Sequence, residues 1–254
     1  PVVSSAASDV YKRQHLYGFQ NAKKNFSTGD WLKLANQKIL QCRKLNKTPI
    51  LVGGTGLYFK ALTEGLVNIP KIPINFRNKV RNLHKRIGQK KFFQKLLQID
   101  PLIKDRINSL DVQRSLRAYE IKSFTKKSMI SWFKNTKSDY SHNDFFKICI
   151  DFPRKDLIER INKRSENMIK LGAILEVKKF IKLRVPKNKS LSKAIGISEI
   201  KQYLQKKIQT EQLIEKISIK TRQYAKRQST WARGHMKDWN KINPAGLEKL
   251  LKKI

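Results

Sequence analysis

Pro49-Ile50-Leu51-Val52-Gly53-Gly54-Thr55-Gly56 is the stretch on which the fold class turns. A short apolar run that ends in glycines is the pattern of a buried parallel strand emptying into a tight loop at its carboxyl end. Upstream, Trp31, Leu34, Ala35, Ile39 and Cys42 recur near helical spacing and Pro49 marks a stop, which predicts an amphipathic helix. Downstream, Leu57 to Leu66 resumes as a helix. Helix, strand, glycine loop and helix in succession predict an α/β protein. Open α/β sheets place ligands at such loops, where Gly53, Gly54 and Gly56 let a substrate approach the backbone and Thr55 offers a hydroxyl. A tight turn that needs glycine for its own sake accounts for the tetrapeptide equally well.

Beyond the loop, Pro70 and Pro73 punctuate the chain, and the region from Phe76 to Tyr140 lacks any strand pattern. It predicts a helical insertion, with helices over Phe92 to Ile99 and, after Asp111 as N-cap, over Val112 to Phe124. Phe145 to Ile150 reads as a core strand, and Pro153 opens a long helix from Arg154 to Leu171 that Gly172 closes. The remainder is expected to be helical, with a break around Val185 to Ser190 and a strongly basic segment from Lys216 to Arg233. The opening Pro1 to Gln14 shows no periodicity, and Asp9 to Gln14 reads like a translated sequencing adapter; the natural text is expected to begin near His15. The expected division is therefore a foreign segment 1–14, a first core part 15–75, a helical insertion 76–142, and a second core part with basic helices 143–254.

In 254 residues, 56 Lys and Arg face 19 Asp and Glu, a formal charge of +37 that makes a polyanion, nucleic acid first, the expected partner. Lys, Ile and Asn are abundant throughout, so part of that excess is a solvated surface. With 39% hydrophobic residues the chain can bury a real core. Cys42 and Cys149 stand far apart with no CxxC and no His at ligand spacing, which disfavours a disulfide scaffold and a zinc site and fits a reducing cytosol. No apolar run approaches the ~18 residues of a membrane span and no signal peptide opens the chain, so a cytoplasmic protein is expected. His15, His84, His142 and His235 are scattered, acidic residues form no glycosidase-like pair, and no Walker A loop is present in the sequence.

Projected on a helical wheel, Leu157, Ile158, Ile161, Met168 and Ile169 form the core stripe of the helix after Pro153, with Arg160 and Arg164 at its edge one turn apart. Two partly desolvated guanidiniums suit a phosphate or diphosphate; snorkelling or pairing with an acid is the plainer account. Near the C-terminus, Lys220, Arg222, Lys226, Arg227 and Arg233 interleave with Tyr224 and Trp231, which suits phosphate contacts plus base stacking, or an ordinary basic helix with its aromatics in the core. Arg114 and Arg117 likewise share a face.

Taken together, Pro49 to Leu62, Gln113-Arg114-Ser115-Leu116-Arg117-Ala118, Lys193-Ala194-Ile195-Gly196, and Thr221 to Gln228 with Trp231 resemble the tRNA dimethylallyltransferases, in order and spacing, over about His15 to Trp239. The resemblance implies a P-loop NTPase-like parallel-sheet core of the ATP- and nucleotide-binding kind, with a helical insertion domain that closes on tRNA. It implies transfer of a dimethylallyl group from dimethylallyl diphosphate to the exocyclic amine of the adenosine 3′ of the anticodon, in tRNAs that read codons beginning with U. Mg2+, a monomeric enzyme and the tRNA anticodon stem-loop as partner come with it. By the same likeness Thr55 reaches the reacting centre, and Arg160 with Arg164 clasps the leaving diphosphate. Arg77, Gln113, Arg114, Ser115, Leu116, Arg117, Lys193, Ala194, Ile195, Gly196, Ile197, Ser198, Lys226, Arg227, Gln228, Ser229, Thr230, Trp231, Ala232 and Arg233 match segments that touch tRNA in relatives. Ile197 stands where relatives usually carry Tyr. Family members also carry a phosphate loop and an aspartate general base ahead of the point where this sequence starts. On that likeness the first strand and phosphate loop are expected to be missing, and the polypeptide as written is expected to be inactive and poorly stable. The rival expectations are a non-catalytic basic RNA-binding module and a relative of nucleotide kinases.

Overall fold

A computed structural model describes residues 14–134, 136–187 and 189–251. Most of the 1–14 segment set aside above therefore lies outside the described residues. The chain divides into two units, one formed by 1–60 with 143–254 and the other by 61–142.

In the first unit, α1 (Thr28–Lys44) starts on a reciprocal cap: the Ser27 N–H donates to the Asp30 carboxylate at 2.9 Å and the Asp30 N–H to the Ser27 hydroxyl at 3.1 Å. Such a box satisfies two otherwise orphaned donors. α2 (Gly56–Thr63) begins directly after the glycine loop. α6 (Arg154–Lys170) packs along α9 (Thr210–His235), and α7 (Ala173–Lys182) and α8 (Ile197–Leu204) complete the bundle; α10 (Pro244–Leu251) follows. Its core joins Val177 and Phe180 to Ile197, Ile200, Leu213 and Ile217. Each such buried side chain contributes roughly 1.5–3 kcal/mol over an exposed one.

The break between α7 and α8 ends on Gly196, whose φ of 101° is a left-handed conformation that glycine tolerates without a Cβ clash. Its N–H donates at 3.0 Å to Glu199, a buried carboxylate that also pairs with Lys220 of α9. Glu199→Ala leaves that buried N–H without an acceptor, and we expect a loss of about 2 kcal/mol, seen as a lower urea midpoint at unchanged slope. A midpoint within error of the parent would show that water replaces the carboxylate.

The sheet among the described residues has two strands, β1 (Ile148–Ile150) and β2 (Asn240–Ile242), paired in parallel with Ile148 opposite Asn240 and Ile150 opposite Ile242. The expected strand over Phe145 to Ile150 is thus confined to its last three residues, and β2 was not foreseen. The expected strand over Pro49 to Val52 is corrected outright. Those residues take no strand conformation, and Ile50 and Val52 are 72% and 78% exposed. A strand exists by pairing its backbone groups, and these residues pair with neither described strand. The protein is a mixed α/β chain dominated by helices, with a small parallel sheet.

The second unit is helical. α3 (Ile74–Ile99) bends at Gly88, where φ is 75°, and packs on α4 (Val112–Thr125), followed by α5 (Met129–Phe133). Asp111 caps α4 as expected, accepting from the Arg114 N–H at 3.0 Å. Ile72, Phe93, Leu96, Ile103, Ala118 and Ile121 share one core. None of these residues belongs to the core of the first unit.

Candidate functional site

The glycine loop is held by α9. The Gln228 amide donates to the Gly54 carbonyl at 2.8 Å, and the Trp231 indole lies against Gly56 so closely that a Cβ there would sit 2.1 Å from the ring. A Cβ on Gly54 would meet the Gln228 amide nitrogen at 2.1 Å, whereas one on Gly53 would find nothing nearer than Phe59 at 4.0 Å. None of the three glycines has a positive φ. Space, not backbone freedom, is what requires glycine here. Gln228 and Trp231, one turn apart, are half-buried on the loop.

Thr55 ends the loop, its carbonyl accepting from the Tyr58 N–H at 2.9 Å, and its side chain is exposed on the wall of an open cavity of about 1800 Å3. Trp31 and Tyr58, stacked at 4.5 Å, line the same cavity with Phe26, Ile39 and Phe180. Its volume exceeds the roughly 300–1,000 Å3 of a pocket that encloses one small molecule.

Arg160 and Arg164 do not join Thr55. Both are exposed, and neither lines that cavity. The side of α6 that is most buried centres on Ile161 and Ser165, each one residue beyond an arginine, so both guanidiniums turn to solvent. Arg160 lies over the Phe152 ring at 4.9 Å. The lining of that cavity thus includes Thr55 without either arginine, and the edge of the stripe is wetter than the wheel suggested.

On α9, Lys226, Arg227, Ser229, Thr230 and Arg233 are exposed and Ala232 is half-buried. Tyr224, 41% exposed, carries the Arg227 guanidinium at 5.7 Å from its ring, while Trp231 stacks on His235 at 4.4 Å. The two aromatics thus divide: one faces solvent and one packs on the loop. Lys193, Ala194 and Ser198 are exposed and Ile195 is half-buried, but Gly196 and Ile197 are buried. Ile197 belongs to the core, which accounts for an aliphatic side chain at that place.

In the second unit Gln113 and Arg114 are exposed, while Leu116 and Arg117 are half-buried. Ser115 has no exposed surface; its hydroxyl donates to the Asp111 carbonyl at 2.7 Å and accepts from Gln89 at 3.1 Å. Within the segment that matches a tRNA-contacting one in relatives, it is the interior residue. Arg77 reaches the buried Glu120 at 3.2 Å. Sequence reasoning passed over Glu120, although it is the one acidic residue in the basic stretch of α4.

Cys149 on β1 has its thiol raised above the usual range by burial, then by the charge of Asp151, with Lys241 pulling the other way. It favours the inert thiol form. Among the described residues no three His, Cys, Asp or Glu side chains gather as a metal shell, and no helix is long and apolar enough to cross a membrane.

A glycine loop clamped by a basic helix thus stands beside an aromatic-lined cavity. The model of the IPP transferase family matches residues 5–235, and the chain belongs to that family. The match opens inside the segment expected to be foreign. The chain is 54% identical to the tRNA dimethylallyltransferase of Pelagibacter ubique over 242 residues, covering 95% of this chain and 77% of that protein. It is 39% identical to the tRNA dimethylallyltransferase of Rickettsia massiliae, covering 94% of this chain and 67% of that one. Among solved structures, the full-length tRNA isopentenylpyrophosphate transferase of Bacillus halodurans matches with a TM-score of 0.58 and 29% identity, over 90% of this chain and 71% of that chain. A eukaryotic dimethylallyltransferase described as acting on tRNA matches in fold with a TM-score of 0.73 at 22% identity, over 87% of this chain and 57% of that one.

Proposed function

We propose that the protein is a tRNA prenyltransferase, moving a dimethylallyl group from dimethylallyl diphosphate to the exocyclic amine of the adenosine 3′ of the anticodon in tRNAs that read codons beginning with U. The observation that carries this reading is the 54% identity to a protein of that name along nearly the whole chain. The clamp of α9 on the glycine loop supports it, because the helix that carries the exposed Lys226, Arg227 and Arg233 also holds the loop that ends in Thr55. In such a transfer the amine nitrogen attacks the allylic carbon, the carbon–oxygen bond to diphosphate breaks, and the amine loses a proton. The leaving diphosphate needs its charge neutralised and the reacting atoms need holding in line. Arg160 and Arg164, exposed on α6 without a buried role, are the proposed diphosphate ligands, and Thr55 the proposed hydroxyl at the reacting centre.

The same exposure favours a second reading, a basic RNA-binding module without catalysis, since Arg160 and Arg164 stand outside the lining of the cavity that contains Thr55. Two measurements separate them. For the product of the intact gene, incubation with dimethylallyl diphosphate and an adenosine-containing anticodon stem-loop is expected to add one prenyl group by mass. Inorganic pyrophosphate is expected to raise the melting temperature of the parent and not of Arg164→Ala. RNA binding with neither prenyl transfer nor a pyrophosphate shift would select the module.

A further inference from the structure

Glu120 is 2% exposed, and three guanidiniums surround it. Arg77 Nε stands 3.2 Å from Oε2, Arg117 Nη1 3.7 Å from the same oxygen, and Arg81 Nε 3.8 Å from Oε1. A buried carboxylate needs one well-placed cation to offset its desolvation. Three leave a local excess of two positive charges. The arrangement also works against its own backbone. Arg77 lies in the first turn of α3, where the helix dipole disfavours a cation. Arg117 is held below the usual arginine value by burial, with Glu120 opposing that shift and Arg77 adding to it. Core stability alone gives no reason to gather cations against such repulsion.

The exposures say where the excess points. The Arg77, Arg81 and Arg117 side chains are 36%, 45% and 42% exposed. Each guanidinium has five N–H donors, and the single carboxylate cannot occupy them all. The remaining donors stand at the surface of α3 and α4, fixed in spacing by a shared buried anchor. Fixed, outward guanidinium forks match phosphate oxygens.

We infer that Glu120 is a positioning residue, which spreads Arg77, Arg81 and Arg117 into a clamp for the phosphate backbone of RNA. The inference rests on the proposed RNA substrate and adds to it two residues, Arg81 and Glu120, with a role for the second that does not involve touching RNA.

The test turns on sign. Glu120→Gln removes a negative charge, so simple attraction to a polyanion predicts tighter RNA binding. Positioning predicts weaker binding. With the full chain and a short RNA stem-loop, Glu120→Gln is expected to bind about tenfold more weakly at low salt, with a log–log salt slope reduced by roughly 0.7–0.9 for each phosphate that the arginines no longer hold. Glu120→Asp is expected to recover part of the affinity. Equal or tighter binding by a folded Glu120→Gln would overturn the inference. Should that variant fail to fold, Arg81→Gln and Arg117→Gln decide, because Arg77 still pairs the carboxylate: lower affinity and a shallower slope support the clamp, and parental values for both overturn it. A parent protein that binds no stem-loop would sink the RNA reading and the clamp together, whereas parent binding with unchanged variants sinks the clamp alone.

Discussion

Gly56→Ala is expected to cost about 3 kcal/mol of stability and to detach the loop from α9, because the new Cβ would sit 2.1 Å from a six-membered ring carbon of Trp231. The indole is rigid and wedged at the side of α9, so it has to leave its rotamer or push the loop away. Gly54→Ala meets an equally short contact, but with the tip of the Gln228 side chain. That amide can swing aside at the loss of one hydrogen bond, about 1 kcal/mol. Gly53→Ala meets only ordinary contact at 4.0 Å and is expected to be near neutral. The graded series, read by urea titration and by Trp fluorescence, checks the geometry of the clamp. Equal effects at all three positions would mean that the loop, not its packing on α9, sets the requirement.

Phe92→Ala is expected to cost about 3–5 kcal/mol, the range for removing a fully buried aromatic side chain. Phe92 has no exposed surface and its ring contacts His84 and Tyr119 at 5.1 and 4.9 Å between centroids. Hydrogen exchange by mass spectrometry localises the damage. Peptides from α3 and α4 are expected to lose protection while those from α8 and α9 keep theirs, since the two cores have no residue in common. Loss of protection at Ile200, Leu213 and Ile217 as well would show that the two units unfold as one.

What the sequence made legible was local. Asp111 could be named as a cap because a short acceptor three residues before an N–H is a property of one turn. The long helix after Pro153 and its closure at Gly172 follow from the fixed φ of one residue and the freedom of the other, and the structure ends α6 at Lys170 with Gly172 at φ 103°. The first half of α3 was expected to be helical but was not bounded: Phe76, Val80, Leu83 and Ile87 recur at helical spacing, and the bend at Gly88 separates that stripe from the one that begins at Phe92. Of the two expected strands one survives, shortened to Ile148 to Ile150. Ile50 and Val52 have strand propensity but pair with no described strand, while Asn240-Lys241-Ile242 has little propensity and becomes a strand by pairing with Ile148 to Ile150.

The candidate site divides in the same way. Thr55 and its glycines were visible in the sequence; what fills the space beside the glycines was not, since Gln228 lies 174 residues further along the chain. Arg160 and Arg164 were placed on the right helix but on too dry a face, because a wheel drawn through Leu157 and Ile161 ignores where α9 lies. Glu120 was hidden for the opposite reason. A single acid among cations looks like a solvated ion-pair partner until its burial is known.

The parallel pairing of β1 with β2 also has a bearing on how the chain is made. Lys147 and Asn240, bonded to each other at the head of the ladder, are 93 residues apart. During synthesis at roughly 5–20 residues per second, β1 waits several seconds on the ribosome before its partner strand exists. Closing so long a loop is a late event in folding. The helices from α6 to α9 are expected to assemble first, with the strand that completes the ladder sealing a bundle already in place.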